Sequence, residues 1–85
     1  MQIKIYTRNH CSFCFAAKHL LAKRGIKYEE ISLGDDVAAE EEMQRLTGQT
    51  AVPQILINGK PIGGFTELAD IDMDGELQKL SVGDS

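Results

Sequence analysis

Cys11 and Cys14 are the only two cysteines of the chain, and Ser12 and Phe13 stand between them. A C-x-x-C pair can pass between dithiol and disulfide. If the first cysteine lies in the first turn of a helix, unpaired backbone N–H groups and the positive dipole end favour its thiolate, the nucleophilic form. A cysteine three positions on lies on a neighbouring face of that turn and can attack a mixed disulfide formed by the first. Two blander readings compete. A purely structural disulfide here would close a tiny loop and remove little unfolded-state entropy. A structural zinc site normally needs four ligands. Only His10 and His19 could complete one, and His19 lies five positions beyond Cys14 on the same helical stretch.

The flanking sequence supplies the strand and the helix that this chemistry needs. Residues 2–6 alternate polar and apolar side chains, as a strand does. Residues 12–24 carry Phe13, Ala17, Leu20 and Leu21 at helical spacing, then Lys23, Arg24 and Gly25 as a C-terminal signal. The pair therefore falls between a strand and a helix, the setting in which C-x-x-C reads as a redox site. Arg8 is expected to add positive charge beside it, and His10 is assigned no proton-transfer role. Residues 26–32 read as a second strand. Gly34-Asp35-Asp36 opens a second helix, with either Asp as cap and Ala39, Met43 and Leu46 as its buried stripe. Residues 54–58 read as a third strand. Asn58-Gly59 predicts a tight hairpin turn into Lys60-Pro61-Ile62-Gly63, where Pro61 implies an edge position. Thr66 is read as the cap of a last helix through Leu68, Ala69 and Ile71. Gly75 breaks it, Leu77 and Leu80 continue a last turn, and residues 82–85 fray. The order β-α-β-α-β-β-α predicts an α/β fold: a four-stranded mixed sheet with helices on both faces.

Bulk properties narrow the function classes. At 85 residues the chain is read as a single domain, residues 1–85. Its 42% hydrophobic and 26% charged residues are ordinary for a folded domain, which argues against disorder. A net charge of -4 disfavours a nucleic-acid partner, which needs clustered Lys and Arg. Apolar runs of a few residues fall far short of the roughly 20 that span a bilayer, and residues 1–6 lack a positive stretch followed by a long apolar one, so no signal peptide is expected. The expectation is a cytoplasmic monomer with no membrane or nucleic-acid partner.

Three segments together resemble the glutaredoxins, of the dithiol class: Tyr6-Thr7-Arg8-Asn9-His10-Cys11-Ser12-Phe13-Cys14, Ala51-Val52-Pro53-Gln54-Ile55, and Gly63-Gly64-Phe65-Thr66-Glu67-Leu68. The resemblance runs from Lys4 to about Leu80 and implies a thioredoxin-like fold with glutathione as co-substrate. It makes Cys11 the nucleophile and Cys14 the resolving thiol. Val52-Pro53 would match the family's cis-proline turn, where the Val backbone pairs with the cysteinyl backbone of glutathione as an added strand does. Gly64, Thr66 and Glu67 would hold the γ-glutamyl end at a helix start. Arg8, Phe13, Gln49 and Ala51 complete the expected glutathione-binding set. Read without the resemblance, Pro53 is a strand-starting proline and Thr66 an ordinary N-cap.

The sequence also departs from the family's pattern. Ser12 and Phe13 stand where Pro and Tyr are frequent. Gln49, Thr50 and Ala51 stand where the family often carries Thr and Arg, so the glycyl carboxylate of glutathione lacks its usual cation, with Lys18 or Arg8 as possible substitutes. Phe65 is bulkier than the small residue common after the glycine pair, and either walls the groove or fills core. The resemblance implies reduction of protein–glutathione mixed disulfides and of some protein disulfides. Two alternatives remain: a redoxin reduced directly by thioredoxin reductase, and a carrier of a glutathione-ligated [2Fe–2S] cluster held through Cys11.

Overall fold

The computed structural model describes the backbone of residues 2–83 and the side chains of residues 2–79. Its elements are β1 (Ile3–Thr7), α1 (Ser12–Lys23), β2 (Glu29–Ser32), α2 (Val37–Thr47), β3 (Gln54–Ile57), β4 (Lys60–Gly63), α3 (Phe65–Met73) and α4 (Glu76–Gly83). The sheet order is β2-β1-β3-β4, with β1 parallel to β2 and both β1/β3 and β3/β4 antiparallel.

The period-2 pattern of the central strands creates two cores. Ile3 and Ile5 of β1 and Ile55 and Ile57 of β3 point to one face, where Ala17 and Leu21 of α1, Leu68 of α3 and Leu77 of α4 cover them. Tyr6 and Leu56 point to the other face and meet Met43 of α2 and Leu33. All four β3 residues are buried, so after Gln54 the strand is an unbroken apolar run rather than an alternating one. Helices thus lie on both faces, as expected. On the α2 face the Tyr6 hydroxyl donates to Glu42 at 3.0 Å.

Several expectations need correction. The second strand begins at Glu29 rather than at residue 26. Gly25, at φ 70°, and Ile26 close α1 instead: the Gly25 N–H donates to Ala22 O and the Ile26 N–H to Leu21 O, at 3.0 and 2.9 Å. This Schellman pairing uses the Ile26 backbone, while its side chain enters the core. In α1 the buried residues are Cys14, Ala17 and Leu21, whereas Phe13 is 61% exposed. Leu46 of the expected α2 stripe is exposed, leaving Met43 as its buried member. Beyond Gly75 the chain forms a separate helix, α4, rather than a last turn. The fraying expected at 82–85 falls on α4 backbone for residues 82–83 and outside the described residues for 84–85.

Other local readings hold. Asp36 caps α2 by accepting the Ala39 N–H at 3.0 Å. Asn58 and Gly59 take φ 53° and 81°, the pair of positive values that a two-residue hairpin turn needs. Pro61 lies on edge strand β4, beside a register shift at Ile55/Leu56. Arg24 at the end of α1 makes a two-pronged contact with Asp72 of α3, at 2.8 and 3.0 Å, joining the helices that carry the two halves of the site. No helix among the described residues is long and apolar enough to cross a membrane.

Candidate active site

Strand β1 ends at Thr7, and a turn through Asn9 and His10 (φ 57°) delivers Cys11 to the N-cap of α1. Cys11 is extended there, and its Sγ accepts the Cys14 backbone N–H at 3.1 Å. A sulfur so placed serves as the helix cap and also faces the helix's positive end. Cys11 is half-buried and Cys14 is 2% exposed. Burial first, and then hydrogen bonding with Cys11, push the Cys14 thiol up to about 11. Cys14 therefore stays a protonated thiol near neutral pH while Cys11 faces solvent. Both cysteines are free.

The Val52–Pro53 peptide is cis. The Val52 carbonyl lies 4.0 Å from Cys11 Sγ, so the turn before β3 abuts the nucleophile. Gln54 holds this turn: it is 6% exposed and its Nε2 donates to Ala51 O at 2.9 Å. Sequence reasoning missed this role, although a polar residue opening an otherwise apolar strand was a usable signal. Across the groove, Gly64 begins α3. A Cβ built on Gly64 would sit 3.1 Å from Pro53 O, so the two backbones approach closely there. The N-cap of α3 is Gly64 rather than Thr66, and the Gly64 N–H donates to Glu67 Oε1 at 2.7 Å. Thr66 is thereby an exposed first-turn residue. Phe65 does both things considered for it: it packs against the core and walls the groove, its ring 6.1 Å from that of Phe13.

The groove between these walls has a volume of about 240 Å³. It collects Phe13, Ala51, Val52, Pro53, Gly64, Thr66 and Glu67 of the expected glutathione set. It does not collect Arg8 or Gln49. Arg8 pairs with Glu40 at 3.1 Å and lines a second cleft on the other flank of Cys11. Gln49 is exposed, its backbone bonded to the Thr47 hydroxyl. Lys18 also belongs to the second cleft, paired with Glu30 at 3.0 Å. Among the described residues, no Lys or Arg lines the groove.

A glutaredoxin family model matches residues 3–62, well over half of the chain. This chain belongs to the glutaredoxin family. Glutaredoxin 3 of Escherichia coli (strain K12) is 38% identical over 78 residues, covering 92% of this chain and 94% of that protein. The glutaredoxin from Brucella melitensis, solved in solution, superposes with a TM-score of 0.80 at 35% identity, covering 94% of this chain and 87% of the other. A crystal structure of a buckwheat glutaredoxin–glutathione complex gives a TM-score of 0.79 at 30% identity, covering 91% of this chain and 73% of that one. The glutaredoxin fold is thus shown, and with it a thioredoxin-like frame for a thiol–disulfide oxidoreductase. No group of three or more His, Cys, Asp or Glu that could hold a metal comes together among the described residues.

Glu30 makes the second cleft sensitive to acid. The Thr7 hydroxyl, donating at 2.7 Å, and the Lys18 ammonium hold its carboxyl below the usual range. A folded value below the unfolded one, which is about 4.3, means that Glu30's contribution is complete above that pH. It is lost as pH falls through the folded value. Glu30→Gln is therefore expected to melt earlier than wild type at neutral pH, with the gap closing as pH drops below about 4. Thermal melts across that range check this.

Proposed function

We propose that this chain is a glutathione-dependent thiol–disulfide oxidoreductase, a single glutaredoxin domain over residues 1–85 that reduces protein–glutathione mixed disulfides and some protein disulfides in the cytoplasm. The observation that carries the reading is the half-buried Cys11 sulfur lying 4.0 Å from Val52 O, beside a groove that ends at the start of α3. The Val52 backbone can pair with an extended cysteinyl residue, so that a disulfide sulfur lies against Cys11. The N–H groups of the first α3 turn suit the γ-glutamyl carboxylate. Glu67 suits the neighbouring ammonium, and Phe13 and Phe65 give the apolar wall. The buckwheat complex, which contains glutathione, supports glutathione as the ligand.

In the proposed reaction the Cys11 thiolate attacks the glutathionyl sulfur of a mixed disulfide. The sulfur–sulfur bond between the glutathionyl and protein cysteines breaks, and the released protein thiolate takes a proton. A second glutathione then attacks the Cys11–glutathione bond, freeing Cys11 and forming oxidised glutathione. For a protein disulfide, Cys14 attacks instead and the pair closes. A glutathione-ligated cluster would draw on Cys11 alone, since Cys14 is buried. The paired thiols fit disulfide exchange better. The test is turnover of a small glutathione mixed disulfide, with glutathione and glutathione reductase as the only reductants. Turnover driven by thioredoxin reductase, with none from glutathione, would sink the proposal.

A groove without Lys or Arg leaves the glycyl carboxylate of glutathione to neutral donors. A charge-assisted hydrogen bond contributes about 1.5–3 kcal/mol against roughly 0.5–1.5 for a neutral one. The difference of about 1 kcal/mol corresponds to about fivefold in affinity. Thr50→Arg, at an exposed position beside Ala51, is therefore expected to lower the KM for glutathione several-fold while kcat barely changes. The gain should shrink at high salt. Steady-state kinetics at low and high ionic strength decide it.

A further inference from the structure

The second cleft, about 500 Å³, opens on the flank of Cys11 away from the groove, and Thr7, Arg8, Cys11, Cys14, Lys18 and Glu30 are among its walls. The proposed function uses its two cysteines and none of its charged side chains. Its arrangement bears on the buried Cys14, which must lose a proton before it can attack. Lys18 stands one helical turn beyond Cys14, at i+4 on the same face. Its ammonium is fixed at 3.0 Å from Glu30 of β2, and Glu30 is fixed in turn by the buried Thr7 hydroxyl at 2.7 Å. Three elements thus hold one cation against the cleft that the resolving thiol shares.

We infer that Lys18, held by Glu30 and Thr7, is a positioning residue for the resolving step: its charge promotes formation of the Cys14 thiolate that attacks the mixed disulfide at Cys11. This rests on Cys14 being the resolving thiol. The titratable and charged residues that share the cleft with Cys14 are Arg8, His10 and Cys11 at the site's entry, Lys18 on its own helix, and Glu30 across the cleft. Burial raises Cys14 most, the Cys11 sulfur raises it further, and the Arg8 backbone and Lys18 lower it. Once Cys11 is capped as a mixed disulfide its sulfur carries no charge. Burial is then opposed by the Arg8 backbone and Lys18, with no Cys11 charge working against them. In that step the Cys14 proton leaves to water in the cleft. The Cys14–Cys11 sulfur bond forms, and the bond from Cys11 to the outgoing sulfur breaks. The outgoing thiolate carries the electron pair: the substrate is reduced and the cysteine pair oxidised.

The test uses the whole chain and an aromatic disulfide that releases coloured nitrothiobenzoate. Cys11 attack releases one equivalent, and Cys14 attack releases a second in a slower phase. This readout needs no glutathione, so its outcome is independent of the glutathione assay. An opposite charge within a few ångströms lowers a pKa by about 1–3 units, and one near the surface by less. A rise of about one unit cuts the thiolate tenfold, while greater nucleophilicity restores part of the loss, leaving a net slowing of about three- to fourfold. Lys18→Gln is expected to slow the second phase by that factor at pH 7 and to move its pH profile up by about one unit. The first phase should stay within twofold, and Lys18→Arg should keep the wild-type profile. A second phase that is unaltered, or a slowing that does not diminish once the pH passes the midpoint of the wild-type profile, overturns the inference. So does a shift of its profile in Lys18→Arg as large as that in Lys18→Gln.

Discussion

Cys11→Ser is expected to abolish turnover with every substrate, whereas Cys14→Ser keeps reduction of small glutathione mixed disulfides and loses reduction of stable protein disulfides. The asymmetry comes from where the two sulfurs stand. Cys11 is half-buried at a helix N-cap, and its sulfur accepts a backbone N–H at 3.1 Å. Cys14 is 2% exposed, with its thiol pushed up to about 11, burial being the first cause. A buried protonated thiol meets no incoming substrate. It can meet only a sulfur already bonded to Cys11. Glutathione is small enough to resolve a Cys11–glutathione bond itself, so that route survives without Cys14. A protein thiol bonded to Cys11 needs an attacker already in place, and only Cys14 is there. Loss of the nucleophile in comparable enzymes costs many orders of magnitude, so the Cys11→Ser rate should fall to the uncatalysed background. Steady-state assays on both substrate types, with mass spectrometry of trapped intermediates, check the split. Preferred alkylation of Cys14 over Cys11 near pH 6 would contradict the assignment.

Gly63→Ala is expected to lower stability and to disturb the groove together. Gly63 sits at φ 111°, outside the range that residues with a Cβ adopt readily. A Cβ built there would also lie 2.6 Å from Glu67 Oε1 and 2.8 Å from its Cγ, so Glu67 must move. Moving it breaks the 2.7 Å bond from the Gly64 N–H that closes the start of α3. Backbone strain of this kind costs about 1–3 kcal/mol. For a domain of this size about 2 kcal/mol lowers Tm by roughly 8–16 °C. The groove should suffer with it, because α3 would start in a different place, so the KM for glutathione should rise. Thermal melts and kinetics on Gly63→Ala, with Gly59→Ala as a control, separate clash from φ strain. Gly59 is also at positive φ, but a Cβ there meets nothing within 4 Å. An equal Tm loss in both variants would show that φ alone matters.

Local signals carried much of this protein's design in the sequence. C-x-x-C between a strand and a helix located the chemistry, because helix start, dipole and thiolate are consequences of neighbouring residues. Asp36, Gly25 and Asn58-Gly59 announced their cap, stop and turn, since each depends on one residue's own backbone preference or one short side chain. What the tertiary structure decided was which side chains those elements bring together. Phe13 and Cys14 are adjacent in sequence, and helical spacing alone placed Phe13 on the inner face. Packing against β1 and α3 instead rotated Cys14 inward and left Phe13 to meet Phe65 across the groove. Ile26 reads as strand, but closing α1 uses its backbone and the core takes its side chain. Arg8 and Lys18 look like cations available to a ligand. Glu40 and Glu30, distant in sequence, bind them on the other flank of Cys11, because long side chains pair with whatever opposite charge the fold brings within reach. The sequence alone could name the reacting atoms; the fold settled which of them faces solvent, which is buried, and which charges stand beside each.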